Sequence, residues 1–186
     1  MRATQRLHEL GQSLWLDNLT RALLDSGELA RMIDRYSLTG LTSNPSIFDK
    51  AIASGVYDDA IRAKAADGAA GEDLFFDLAI EDLRRAADLF APIHERTDGV
   101  DGWVSLEVSP LLAYDAETTV KEAGALHERA GRSNLFIKIP GTAEGLPAVE
   151  ECIAAGVPVN VTLLFSPEQY EAAAEAYLRG VERRVE

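Results

Sequence analysis

One lysine of this chain stands where a charge is costly. Lys138 lies in NLFIKIPG (134–141), flanked by Phe136 and Ile137 before it and Ile139 and Pro140 after it. Desolvation disfavours an ammonium ion and favours the neutral amine. A neutral amine attacks carbonyl carbon and can form a Schiff base. The plain alternative is a lysine at a strand end that reaches solvent or pairs with a carboxylate such as Glu107. Other apolar runs share the peculiarity, each with a polar residue near its C-terminal end: Asp17 in LWLDN, Glu107 in VSLEVSP, and Asn160 with Thr162 in VNVTLLF. Burying an unpaired charge costs several kcal/mol, so these positions require compensation. Asp17 and Glu107 fit general acid–base groups around an imine, or else carboxylates that only neutralise the lysine. Asn160 and Thr162 lie two apart and therefore face the same side of a strand. They suit hydrogen bonding to substrate hydroxyls or a catalytic water, and equally a satisfied polar pair at a strand end. Asn44 in TSNPS reads first as a helix cap, with Pro45 opening the helix behind it.

Such positions need a fold that gathers the C-terminal ends of strands. The chain alternates short apolar runs with longer amphipathic segments. Extended runs fall at 13–17, 38–45, 102–110, 134–141 and 158–166. Helical patterns occupy 26–36 (with Ser26 as N-cap), two stretches within 46–67, then 72–96, about 115–130, about 143–155, and a last one opening at Pro167. Strand followed by helix, repeated, signals βαβ units and a parallel sheet. Neither GxGxxG nor GxxxxGK[ST] occurs, which removes the main support for a doubly wound nucleotide-binding fold. A parallel barrel, by contrast, directs inward residues at its strand C-termini into one pocket. The expected class is α/β, a (β/α)8 TIM-barrel type that is incomplete. Residues 1–186 would supply about the first five β/α units, because a whole barrel takes ~250 residues. The C-terminal units are expected to be missing, since the sequence stops inside a helical pattern at Glu186.

Composition narrows the function classes. Hydrophobic residues make up 47% and charged residues 26%, which suits a folded globular chain. No apolar run approaches the roughly 20 residues of a membrane span. The opening MRATQRLHELG lacks the apolar centre of a signal peptide. The single cysteine, Cys152, excludes an internal disulfide framework and fits a reducing compartment, so a cytoplasmic location is expected. A net charge of −13 disfavours nucleic acid and anionic membranes as partners, but says little about a small phosphorylated substrate. His8, His94 and His127 fall in helical patterns and are expected on the surface, leaving little material for a metal site. Cys152, in VEECIAAG, reads as a small buried helix residue.

Taken in order, SLWLDNLTR (13–21), GLTSNPSIFDKAI (40–52), SLEVSP (105–110) and FIKIPGTAEGLPAVEECIAAGVPVNVTLLFS (136–166) resemble the transaldolase family, in its longer bacterial form. The resemblance runs over essentially the whole chain. It implies that Lys138 is the Schiff-base lysine and that Asp17 is the acid–base group at carbon–carbon cleavage. Glu107 would shuttle protons through a water held by Thr162, and Asn44 and Asn160 would hold the hydroxyls of a dihydroxyacetone unit. The implied activity moves that unit from a ketose phosphate to an aldose phosphate in the pentose phosphate pathway. Sugar phosphates are then the partners, and neither metal nor organic cofactor is expected, because the protonated imine is the electron sink. A fructose-6-phosphate aldolase, which releases the unit, is the alternative, as is a non-catalytic fragment that needs its missing half. In the family the remaining strands supply a serine near the imine and the arginines that hold phosphate. The 186-residue chain by itself is therefore expected to be inactive. Arg21 and Lys50 are cations near the matched motifs without an assigned role.

Overall fold

The computed structural model describes residues 2–186, which divide into two compact units. One runs to Leu106 and takes in Arg132–Asn134; the other comprises Glu107–Gly131 and Leu135–Glu186.

The first unit holds helices α1 (Ala3–Glu9), α2 (Arg21–Asp25), α3 (Glu28–Tyr36), α4 (Pro45–Ile52), α5 (Asp58–Ala66) and α6 (Gly71–Arg96). Its strands are β1 (Trp15–Asp17), β2 (Gly40–Thr42) and all but the last residue of β3 (Trp103–Glu107). They run parallel, with Trp15 opposite Gly40, Asp17 opposite Thr42, and Thr42 opposite Ser105. The core is built from Leu19, Leu29, Leu41 and Val104, and from Leu78, Leu83, Ala87 and Phe90 on one face of α6. That face is the apolar stripe visible in the sequence.

Two details depart from expectation. Ser26 does not cap α3. It closes α2, a short helix without a strong periodic signature, whose own cap is Thr20, accepting from Leu23 N–H. Gly27, at φ +69°, then makes the abrupt turn into α3. His94 is half-buried rather than on the surface: its Nδ1 lies 3.0 Å from the Asp101 carbonyl, and its ring stands edge-on to Trp103 at 4.6 Å. Gly102 makes this packing possible. Its φ is +82°, and a Cβ would collide with the His94 backbone. Gly102→Ala is expected to destabilise the fold by about 3 kcal/mol, combining left-handed strain with overpacking. A lowered urea midpoint at unchanged slope would show this; an unaltered midpoint would contradict it.

The second unit holds a 3₁₀ turn (Pro110–Leu112), helices α7 (Ala116–Ala130), α8 (Gly145–Ala155) and α9 (Pro167–Val185), and strands β4 (Leu135–Pro140) and β5 (Val159–Thr162). β4 and β5 are parallel, with Ile137 opposite Val159 and Ile139 opposite Val161. Asp115 and Ser166 cap α7 and α9, and Gly131 and Gly156 end α7 and α8 in the left-handed conformation. Gly180 of α9 lies against Ile153 and the Glu150 carbonyl of α8, while Arg179 and Arg183 pair with Glu150 and Glu151. His127, expected at the surface, is half-buried, and burial lowers its pKa. Cys152 is buried on α8, and burial pushes its thiol up to about 11, which keeps it protonated and unreactive near neutral pH.

The strands follow the order β1-β2-β3-β4-β5, and helix separates each strand from the next. This sequential parallel βα pattern is that of a TIM-barrel-type fold, with five of its strands present. Among the described residues, no helix is long and apolar enough to cross a membrane.

Candidate active site

Lys138 is the fourth residue of β4. Leu135, Ile137 and Ile139 alternate with it and are buried, so the lysine faces the other side of the strand. Its Nζ stands 3.1 Å from Glu107 Oε2, and both side chains are 13% exposed. Glu107 ends β3, and the next residue, Val108, donates its N–H to the Lys138 carbonyl at 3.2 Å, which ties the two strand ends together. On β5, Asn160 lies opposite Lys138 and Thr162 opposite Pro140. Residues in parallel register share a face, so Lys138, Asn160 and Thr162 line the same side. Gly141 N–H donates to the Thr162 carbonyl at 2.7 Å and closes the end of the pair.

Four of the six residues singled out in the sequence, Glu107, Lys138, Asn160 and Thr162, thus belong to one strand cluster of the second unit, in which Glu107 and Thr162 end their strands and Lys138 and Asn160 lie inside theirs rather than at the expected ends. The amine and carboxylate are within proton-transfer reach. The pairing reading of Lys138 and the catalytic one are therefore compatible. The same carboxylate that neutralises the ammonium can take its proton when a carbonyl carbon is presented.

The other two residues belong to the first unit. Asp17 is the exposed last residue of β1, in register with Thr42 of β2. Asn44 follows β2 by two residues, in extended conformation, and its Oδ1 accepts the Ile47 N–H at 3.0 Å. The capping reading is correct for the oxygen. Capping leaves the Nδ2 group of Asn44 without a protein partner among the described residues, so it can still donate to a ligand.

The β1–α2 connection behind Asp17 is anchored by a network that the sequence did not announce. Arg21 donates through Nε to Asp82 Oδ1 at 3.0 Å and through a terminal nitrogen to Glu81 at 2.7 Å. Tyr57 Oη donates to Asp82 Oδ2 at 2.6 Å and accepts the Arg21 N–H at 3.2 Å. The guanidinium also lies over the Tyr57 ring, 4.5 Å from its centroid. Burial pushes the Asp82 carboxyl up, opposed by the Tyr57 hydrogen bond and the Arg21 charge. Burial likewise raises the Tyr57 hydroxyl. One signal was available: Asp82 interrupts the buried face formed by Ala79, Leu83 and Ala86. Arg21 is committed to this network. Lys50 is exposed and borders a cavity of about 470 Å³ with Ile47, Val56 and Tyr57.

The family model described as Transaldolase/Fructose-6-phosphate aldolase matches residues 14–185. The chain is 47% identical over 180 residues to Transaldolase 2 of Nostoc punctiforme, covering 96% of this chain and 47% of that protein. It is 48% identical over 179 residues to Transaldolase of Trichodesmium erythraeum, with coverage of 96% and 47%. Against Transaldolase of Thermobifida fusca the identity is 49% over 180 residues, covering 96% and 49%. The chain spans about half the length of the curated relatives it matches.

Proposed function

The chain belongs to the transaldolase/fructose-6-phosphate aldolase family, and on that premise we propose that it carries the imine-forming residues of a transaldolase. The observation that carries the proposal is the partly buried Lys138–Glu107 pair at 3.1 Å, with Asn160 in register beside it. Glu107 takes the ammonium proton, and the freed amine adds to the carbonyl carbon of a ketose phosphate. Glu107 then returns protons through a water held by Thr162, so that the carbinolamine loses its hydroxyl as water and the imine forms. Asp17 removes the proton from the hydroxyl next to the bond to be broken. That bond cleaves, its electrons enter the protonated imine, and an aldose phosphate leaves while the three-carbon unit stays as an enamine. An acceptor aldose phosphate takes up the unit, and hydrolysis releases Lys138. Asn44 and Asn160 donate to the hydroxyls of the bound unit and hold it in line for these steps.

The relatives carry the name transaldolase, which favours transfer over release of the unit. A place in the pentose phosphate pathway and a cytoplasmic location complete the proposal, the latter supported by the single buried thiol. Turnover is assigned to a protein of the relatives' length, in which further strands bring the phosphate-holding cations. Reduction with borohydride in the presence of fructose 6-phosphate, followed by intact mass and peptide mapping, tests the imine. A stable adduct on Lys138 is expected. Absence of label, under conditions where a full-length relative labels normally, would refute imine formation by this chain.

A further inference from the structure

The first unit carries a cationic pocket that the proposed chemistry does not use. Its volume is about 580 Å³, within the usual range for small-molecule sites, and Arg2, Gln5, Glu28, Arg31, Asp34 and Arg35 line it. Three guanidinium groups against two carboxylates give this lining a charge of +1, in a chain whose net charge is −13. The carboxylates are unequal. Glu28 is committed to Arg31, which grips its Oε2 through two nitrogens at 2.7 and 2.6 Å. Asp34 is the remaining carboxylate and opposes any anion that enters.

Arg2 and Arg35 are the distinctive pair. Their guanidinium carbons lie 5.7 and 5.4 Å from the centroid of the same Tyr36 ring, so one aromatic side chain positions both cations. A ring face accepts no hydrogen bond of ordinary strength, and Arg2 satisfies one terminal nitrogen on the Arg35 carbonyl at 2.9 Å. Among the described residues the Arg35 side chain has no carboxylate partner. The Arg35 guanidinium and the remaining donors of Arg2 present planar forks that match phosphate oxygens. Both cations lie against one ring, so a multivalent anion can draw on both charges.

We propose that this pocket binds a small phosphate polyanion, a chain of two or more linked phosphates, through Arg2 and Arg35, while Arg31 stays engaged with Glu28 and the Ser26 carbonyl. A single phosphate reaches fewer of the forks and competes less well with Asp34. Inorganic tripolyphosphate and the triphosphate of a nucleotide share this chemistry.

Isothermal titration of the full chain with tripolyphosphate at low salt provides the test, with ATP as a second arm and inorganic phosphate as control. One saturable site is expected, with phosphate at least tenfold weaker. Equal affinity for ATP would show that the phosphate chain alone is recognised; tighter ATP binding would place the nucleoside in the site as well. Arg2→Ala combined with Arg35→Ala removes two exposed side chains and should weaken tripolyphosphate at least tenfold. Arg62→Ala, on the α5 surface of the same unit, should leave binding unchanged. Absence of saturable binding, or unchanged affinity in the double variant, would overturn the proposal.

Discussion

Lys138→Met is expected to lose the borohydride-trapped adduct completely and, at the same time, to lower the stability of the fold. Methionine keeps most of the apolar stem of lysine but removes the amine. In a protein of the relatives' length, the same loss of the covalent nucleophile should lower turnover by several orders of magnitude, on the order of 10⁴–10⁶. The stability effect has a separate origin. Glu107 is 13% exposed and faces the amine at 3.1 Å, so the variant leaves a mostly buried carboxylate without that cation. Removing one member of such a pair costs about 3–5 kcal/mol, and the residual exposure places the expected value toward the lower end. A second change separates the two effects. Lys138→Met with Glu107→Gln carries no buried charge at this pair and should recover much of the stability, while the adduct stays absent. Thermal midpoints and peptide mapping, run side by side, read both. If the single variant still labels at the β4 peptide, or if the double variant recovers labelling, Lys138 is not the imine-forming residue.

Asp82→Ala is the substitution outside the strand ends expected to do most damage. The side chain is 0% exposed and accepts from Tyr57 Oη and Arg21 Nε at once. Alanine leaves a buried tyrosine hydroxyl without its acceptor, halves the carboxylate set of Arg21, and opens a void in the core of α6. Loss of such a network costs about 3–5 kcal/mol. Burial is the largest influence on the Asp82 carboxyl and pushes it upward, against Tyr57 and Arg21. The negative charge therefore contributes less here than the placement of the two oxygens. Asp82→Asn, which retains one acceptor and the shape, should cost only about 1–2 kcal/mol. Urea midpoints for the two variants distinguish these expectations, and equal losses would mean that charge rather than geometry governs the site. The raised carboxyl also fixes the sign of a pH effect. The folded state holds the Asp82 proton more tightly than the unfolded chain, so this residue's contribution falls as pH rises from the ordinary carboxylate range through the folded value.

The network carries a lesson about where local pattern stops. Residues 72–96 announce a helix by periodicity alone, and α6 occupies Gly71–Arg96. The same periodicity places Asp82 on the buried face, but it cannot name the partners that make burial tolerable, because Arg21 and Tyr57 come from α2 and the turn before α5. His94 departs from its expected exposure for the same reason. A histidine in a helical pattern looks exposed until the Asp101 carbonyl and the Trp103 ring are brought against it across the Gly102 turn.

What the sequence by itself determined is whatever is settled within a few residues. Polar groups within apolar runs marked Asp17, Glu107, Lys138, Asn160 and Thr162 as strand residues, of which Asp17, Glu107 and Thr162 end their strands while Lys138 and Asn160 lie inside theirs, and Asn44–Pro45 marked a capped helix start. The physical reason is that side-chain alternation and capping act over one strand or one turn. Tertiary structure alone decided which of these groups meet. Strand register set Asn160 opposite Lys138 and brought Glu107, 31 positions earlier in the chain, to within 3.1 Å of the amine. It also decided that Ser26 ends a helix instead of starting one, because packing of two consecutive helices required the turn at Gly27. Pairing between residues distant in sequence is selected by the total burial of a sheet and its helices, a quantity no local window contains.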